Sequence, residues 1–164
     1  LMAGKLASKG KIYSFEPSID NFKLLQENVE LNKLTNIILI NKAVAKESGV
    51  REFTLSPDDP AGHSILDGET NRQKVNIDVV SLDDFIKENN IQKINFLKMD
   101  CEGAEYEIFD NCSNNILNNI DKISMEYHDV DNKRTVTYIK NFLENKSFKV
   151  LIRTVGDNMF YGKI

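Results

Sequence analysis

Short apolar runs of strand character alternate along this chain with stretches whose apolar residues recur at helical spacing. That ordering constrains the fold more than any single motif. Residues 11–16 form a β-rich run that stops at Glu16 and Pro17. Ser18 then stands as an N-cap, and Ile19, Phe22, Leu25 and Val29 space a helix over residues 18–32. Residues 36–44 are nearly continuous in apolar character, the pattern of a strand buried on both faces of a parallel sheet. Residues 75–80 read as a further strand, and Ser81 with Asp84 caps a short helix. Residues 94–99 form a buried strand ending at Asp100, and residues 103–117 a helix with Ile108, Phe109 and Cys112 on one face. A strand over 122–127 and a helix over 133–146 follow. Runs at 148–155 and 158–164 are joined by Gly156-Asp157 as a tight hairpin. The prediction is one α/β domain over residues 1–164, three layers deep, with a mostly parallel sheet closed by an antiparallel hairpin.

One segment breaks the alternation. Residues 47–71 carry Gly49, Pro57, Pro60, Gly62 and Gly68, which predicts a long loop over the sheet end with a short strand at 51–55. A chain of 164 residues, 41% hydrophobic and 28% charged, has the composition of one ordinary globular domain. Its net charge of −4 argues against a main role in phosphate-driven nucleic-acid binding. No apolar run approaches the roughly 20 residues of a membrane span, so no membrane partner is expected. Cys101 and Cys112 make neither a disulfide framework nor a zinc site, and a reducing cytoplasm is the expected compartment.

In open parallel sheets, ligands bind beyond the carboxyl ends of the strands. Those ends carry Glu16, the stretch 41–44, Asp100 with Glu102, and Glu126 with His128. An acid such as Glu16 suits a ribose diol, since its two oxygens accept from both hydroxyls. It equally suits a surface position favoured by a helix dipole. The run Asp100-Cys-Glu-Gly-Ala-Glu105 delivers a carboxylate to a strand end, with Gly103 permitting close backbone approach. The plainer reading is capping by Asp100, with Glu102 and Glu105 as first-turn acids. If the strands at 94–99 and 122–127 are neighbours, Asp100 and Glu126 approach each other beside His128. Such a set serves a hard cation, an acid/base pair acting on a hydroxyl, or nothing beyond a polar rim. His63-Ser64 in the long loop is a further contact candidate, and Cys101 has no base beside it to make it a nucleophile.

Taken in order, six blocks resemble the FkbM family of S-adenosylmethionine-dependent methyltransferases. They are Tyr13-Ser-Phe-Glu-Pro17, Asn21-Phe-Lys-Leu-Leu25, Asn41-Lys-Ala-Val44, Val80-Ser-Leu-Asp-Asp-Phe85, Leu97-Lys-Met-Asp-Cys-Glu-Gly-Ala-Glu105 and Met125-Glu-Tyr-His128. The resemblance implies a Rossmann-like class I methyltransferase fold. It implies methyl transfer from S-adenosylmethionine to a hydroxyl oxygen of a sugar or natural product, so the partner is a small-molecule or saccharide acceptor, with a homo-oligomer left open. It places Glu16 at the cofactor's ribose, Ala43 and Val44 by its adenine, and Asp100 at the reaction centre, bordering the cofactor. It makes His128 a base or third ligand, and Asp100 with Glu126 candidate ligands for a divalent cation such as Mg2+. The family's first strand and its loop of the type Asp-x-Gly-x-Asn-x-Gly should precede Glu16 by about 20 to 30 residues. Only residues 1–10 stand before the strand of Glu16, and Met2-Ala-Gly-Lys-Leu-Ala resembles the tail of the helix after that loop. The expectation is a methyltransferase domain without its first strand, which binds the cofactor weakly or not at all; micromolar binding by calorimetry would count against this. Two rivals stand beside it: a nucleotide-dependent oxidoreductase, with Glu16 on a nicotinamide cofactor's ribose, and a non-catalytic or degenerate binding domain.

Overall fold

The structure is a computed structural model that describes residues 1–54, 74–153 and, as backbone, 159–163. His63-Ser64, most of the loop predicted at 47–71 and the Gly156-Asp157 junction lie outside the described residues. The first half runs α1 (Met2–Leu6), β1 (Ile12–Phe15), α2 (Ile19–Leu31), β2 (Ile37–Ile40), β3 (Ala43–Ala45), β4 (Gly49–Thr54), β5 (Lys74–Ser81) and α3 (Leu82–Glu88). The second half runs β6 (Leu97–Met99), α4 (Glu105–Asn111), α5 (Asn114–Asn118), β7 (Lys122–Glu126), α6 (Val136–Asn145), β8 (Lys149–Arg153) and β9 (Met159–Lys163).

The strands form three small sheets: β1-β2, β3-β5-β4 and β6-β7-β9-β8. The pairs β1·β2, β3·β5 and β6·β7 are parallel, while β4·β5, β7·β9 and β8·β9 are antiparallel. This corrects the expected three-layer, mostly parallel sheet to a mixed α/β arrangement of small parallel and mixed sheets. The physical reason is a gap. Among the described residues β1 pairs with β2 alone and β6 with β7 alone, and a cleft of about 770 Å³ is lined by residues of both β1 and β6. The antiparallel pairing of β8 with β9 agrees with the expected closing hairpin, and β9 lies between β7 and β8.

The predicted strand over 36–44 is two strands in different sheets. Asn41 marks the break: its Nδ2 donates to the carbonyls of Glu16 at 2.8 Å and Pro17 at 3.1 Å, tying the end of β2 to the end of β1. Beyond it, β3 turns to β5 in register Val44↔Val80. The predicted helix over 103–117 is also two. Cys112 is extended, with ψ 130°, and the Ser113 side chain accepts from the Ile116 amide to start α5. The predicted strand over 94–99 shortens to β6 plus one isolated bridge, Ile94↔Ile120. Ser18 is the N-cap of α2 as expected, but its side chain makes no capping bond; instead its amide donates to Glu16 Oε1 at 2.8 Å. Ser81 caps α3 as expected, accepting from the Asp84 amide at 3.0 Å.

Three helices stop in the same way. After α2, α3 and α6, the residues Lys33, Asn90 and Ser147 take φ of 54°, 51° and 68°. The next amides, Leu34, Ile91 and Phe148, reach back to the carbonyls of Val29, Ile86 and Leu143. This is the Schellman motif, built without glycine.

The main core gathers α4, α5, α6, β6 and β7. Tyr106, Phe109, Leu117, Ile120, Ile123, Met125, Ile139 and Leu143 are its largest fully buried apolar side chains. Ile139 and Leu143 stand four apart on α6, so one helical face meets that core. Removing each from water contributes about 1.5–3 kcal/mol. The β1-β2 unit is joined to the rest through Phe85 of α3, which takes Tyr13 and Phe15 edge-on at 5.2 and 4.8 Å. Among the described residues, no helix is long and apolar enough to cross a membrane.

Candidate active site

The register Met99↔Met125 between β6 and β7 fixes the centre of the site. Two parallel strands in this register end together, so Asp100 and Glu126 emerge side by side. Asp100, Glu126 and His128 each bring one ligand-type atom into a group whose members lie within 4.8 Å of one another. The neighbouring-strand condition set by the sequence is therefore met. Glu16, Ala43, Val44, Asp100 and Glu126 all line the 770 Å³ cleft, together with Phe15, Leu82 and Glu102. His128 stands beside the cleft, behind Glu102.

Each acid is held differently. Glu16 is fixed at the end of β1 by the Ser18 amide on its Oε1. Asp100 is half exposed, and its Oδ2 accepts from Lys98 Nζ at 3.0 Å; the same ammonium donates to the Met99 carbonyl at 3.1 Å. Glu102 sits in a turn closed by the Ala104 amide on the Cys101 carbonyl, with φ 50°, and Gly103 follows at φ 95°. Two successive left-handed residues cannot continue a helix, so α4 begins at Glu105 rather than at Gly103. A non-glycine residue held in this region is strained, and Glu102 lines the cleft.

Glu105 is wholly buried. Its Oε1 accepts from the Cys101 amide at 2.9 Å, and its Oε2 has no hydrogen-bond partner. His128 lies between two carboxylates, with Nε2 3.5 Å from Glu102 Oε2 and Nδ1 3.5 Å from Glu105 Oε1. The facing Glu105 carboxylate raises the imidazole above its ordinary pKa, burial opposes the rise, and Glu102 and Glu126 add to it. Glu102 is raised as well, first by burial and then by Asp100, Glu105 and Glu126, against the lowering pull of His128. Burial, then the Glu105 carboxylate, pushes the Cys101 thiol up to about 12, which removes it as a nucleophile at neutral pH.

The chemistry open to this arrangement follows from its charges. Acids rim a cleft whose walls include Phe15, Ala43, Val44 and Leu82. A ligand with a flat apolar ring, a diol and a positive centre matches such a surface. An imidazole with a raised pKa beside it can take a proton from a hydroxyl. The donor set of two carboxylates and one imidazole also suits a divalent cation, although Lys98 already neutralises Asp100.

The sequence reading misses Lys98 and takes Glu105 only as a first-turn acid. Lys98 gave no signal, since it alternates with Leu97 and Met99 like any outward strand residue. Glu105 did give one: it shares the spacing of Ile108, Phe109 and Cys112, so an acid occupies an apolar stripe.

Comparison with known proteins bears on what this cleft serves. A family model described as "Methyltransferase FkbM domain" matches residues 1–150. "Methyltransferase 1" of Beauveria bassiana is 29% identical, in an alignment covering 86% of this chain and 64% of that protein. "Hexuronic acid methyltransferase AglP" of Haloferax volcanii is 27% identical over 74% of this chain and 49% of that protein. The chain thus spans about half to two thirds of the length of the curated relatives it matches. No solved structure was found to match it.

Proposed function

From the premise that this chain belongs to the FkbM methyltransferase family, we propose that it serves methyl transfer from S-adenosylmethionine to a hydroxyl oxygen of a saccharide or related small molecule. The observation that carries the reading is the convergence of Glu16, Asp100 and Glu126 on one cleft with apolar walls. A hexuronic acid is a concrete acceptor to try, because the name of the Haloferax volcanii relative specifies that substrate class.

The cleft fits the cofactor's chemistry: acids at its rim suit a sulfonium, and apolar walls suit an adenine. When bound, the cofactor supplies an electrophilic methyl group. The chain's residues do the rest. Glu16 accepts from the ribose hydroxyls, while Ala43 and Val44 cover the adenine. Asp100 stands at the reaction centre and orients the acceptor, and His128 takes the proton that the attacking hydroxyl releases. Holding the two reactants in line supplies most of the rate.

The test is Asp100→Ala in the intact protein, assayed with labelled S-adenosylmethionine and glucuronic acid. Turnover should fall by about 10²-fold or more while affinity for S-adenosylhomocysteine changes little. Equal loss of both would count against a role in the chemistry. The distances among Asp100, Glu126 and His128 favour a second reading, in which these residues hold a divalent cation that acidifies the hydroxyl. Activity that dies with EDTA and returns with Mg2+ supports it; indifference to both removes it.

A further inference from the structure

Glu105 belongs to none of the roles above, yet it is the most anomalous side chain near the cleft. It is a carboxylate with 0% exposure, set among Tyr106, Ile108 and Phe109, and its Oε2 has no hydrogen-bond partner. A buried carboxylate in that state is costly unless a donor completes it. The Cys101 amide satisfies Oε1 alone. Among the described residues two other buried polar side-chain atoms have no hydrogen bond, Tyr106 Oη and His128 Nδ1, and the latter lies 3.5 Å from Glu105 Oε1. An imidazole nitrogen without a hydrogen bond thus faces a buried carboxylate that has only one donor. A shift of about 0.6 Å closes them into a hydrogen bond, and catalytic contacts are commonly long in the empty state.

We propose that Glu105 is a positioning residue for His128, holding the proton on Nδ1 and presenting Nε2 to the cleft through Glu102. This deepens the reading of His128 as the base and rests on it for its catalytic meaning. Neutral imidazole has one donor and one acceptor nitrogen, and a carboxylate can only accept. Both ring nitrogens face a carboxylate at the same 3.5 Å, so burial decides which keeps the proton. Glu102 has a third of its side chain exposed and can turn to water, whereas Glu105 has nowhere to go. Nδ1 therefore keeps the proton and Nε2 keeps the lone pair. A hydroxyl that displaces Glu102 meets an acceptor already oriented: its oxygen would bond the methyl carbon as the carbon–sulfur bond of the sulfonium breaks and leaves its electron pair on sulfur, and its proton passes to Nε2. The same carboxylate–imidazole arrangement would orient His128 toward a cation.

The chain has two histidines, so a His63→Gln background leaves one imidazole to read by 15N NMR. Spectra are taken above the pH at which the ring loses its second proton. With Glu105 present, Nδ1 should give the protonated signal and Nε2 the lone-pair signal. Glu105→Ala should move the ring to a mixture or to the Nε2–H form. Glu105→Gln keeps the volume and a weaker acceptor and should fall between; it stands in if the alanine variant does not fold. An Nε2–H ring with Glu105 in place, or a ring unchanged in the variants, overturns the proposal. The spectrum needs neither cofactor nor acceptor. If it is as expected and His128→Asn still transfers methyl groups at the wild-type rate, the base reading fails and the positioning of the ring stands.

Discussion

Arg51→Met should destabilise this protein more than Glu107→Gln, although the two residues form one ion pair. Arg51 lies on β4 and Glu107 on α4, with Nη1 and Oε1 2.6 Å apart. Their side chains are 21% and 22% exposed, so the pair is about four-fifths buried. At this distance the gross attraction is about 6 kcal/mol for an effective dielectric of about 20, and most of it is cancelled by desolvation. The partners differ in what remains when the other is removed. Without Glu107, Arg51 keeps Glu47 at 3.5 Å, and a glutamine at 107 still accepts one hydrogen bond. Without Arg51, a largely buried carboxylate has lost its cation. The expected costs are about 1 kcal/mol for Glu107→Gln and about 2–3 kcal/mol for Arg51→Met. Methionine retains most of the apolar stem, so the loss is mainly electrostatic. The double variant should cost at least about 1 kcal/mol less than the sum, since the stranded charge is gone. Urea unfolding followed by circular dichroism measures all three, and each kcal/mol corresponds to about 2–4 °C in Tm at this size. A glutamine variant as costly as the methionine variant, or strict additivity, would refute the asymmetry. The pair matters to the site because α4, which it clamps to β4, starts with Glu105.

Burial raises Cys101 and Cys112 from 9.0 to about 12, so each holds its proton more tightly folded than unfolded. Their contribution is complete below about pH 9 and is lost as pH climbs toward 12; Cys→Ala at both positions should flatten that alkaline decline, and both thiols should react with a disulfide reagent at pH 8 only after urea is added. Asn36 Nδ2 lies at 3.0, 2.9 and 3.3 Å from the carbonyls of Gly4, Ala7 and Gly10, so Asn36→Ala should release α1 at a local cost of about 1–2 kcal/mol. Faster tryptic cleavage after Lys5 and Lys9, with little change in the urea midpoint, would show it; an unchanged cleavage rate would refute it.

The sequence made the order of the elements legible because periodicity reports which face of each element is buried. It could not show where an element breaks for a reason outside itself. The run 36–44 is apolar enough for one strand, yet the Asn41 amide is engaged by carbonyls about 25 residues earlier, and the chain leaves for another sheet. The helix expected from Gly103 starts late because Glu102 and Gly103 both adopt positive φ, a torsion that composition does not reveal. That Glu16, Asp100 and Glu126 would come to one cleft was legible since strand ends converge by topology. Glu105 looked like an ordinary first-turn acid, and only its complete burial gives it another meaning. The single sheet was a sound extrapolation from parallel βα units, but whether β1 meets β6 depends on pairing that no local pattern encodes.

The non-glycine Schellman stops leave room for a tougher molecule. Lys33 and Ser147 hold a torsion that glycine adopts without steric cost, and neither lines the cleft. Lys33→Gly and Ser147→Gly should each raise stability by about 1 kcal/mol, or about 2–4 °C in Tm. Glu102 has nearly the same torsion, but there glycine would delete a carboxylate that faces His128. What the side chain faces, and not the backbone angle, thus separates strain that protein engineering can relieve from strain to be kept. Relieving the first kind gives a background with enough mutational tolerance for the destabilising Glu105 and Arg51 variants to be studied folded.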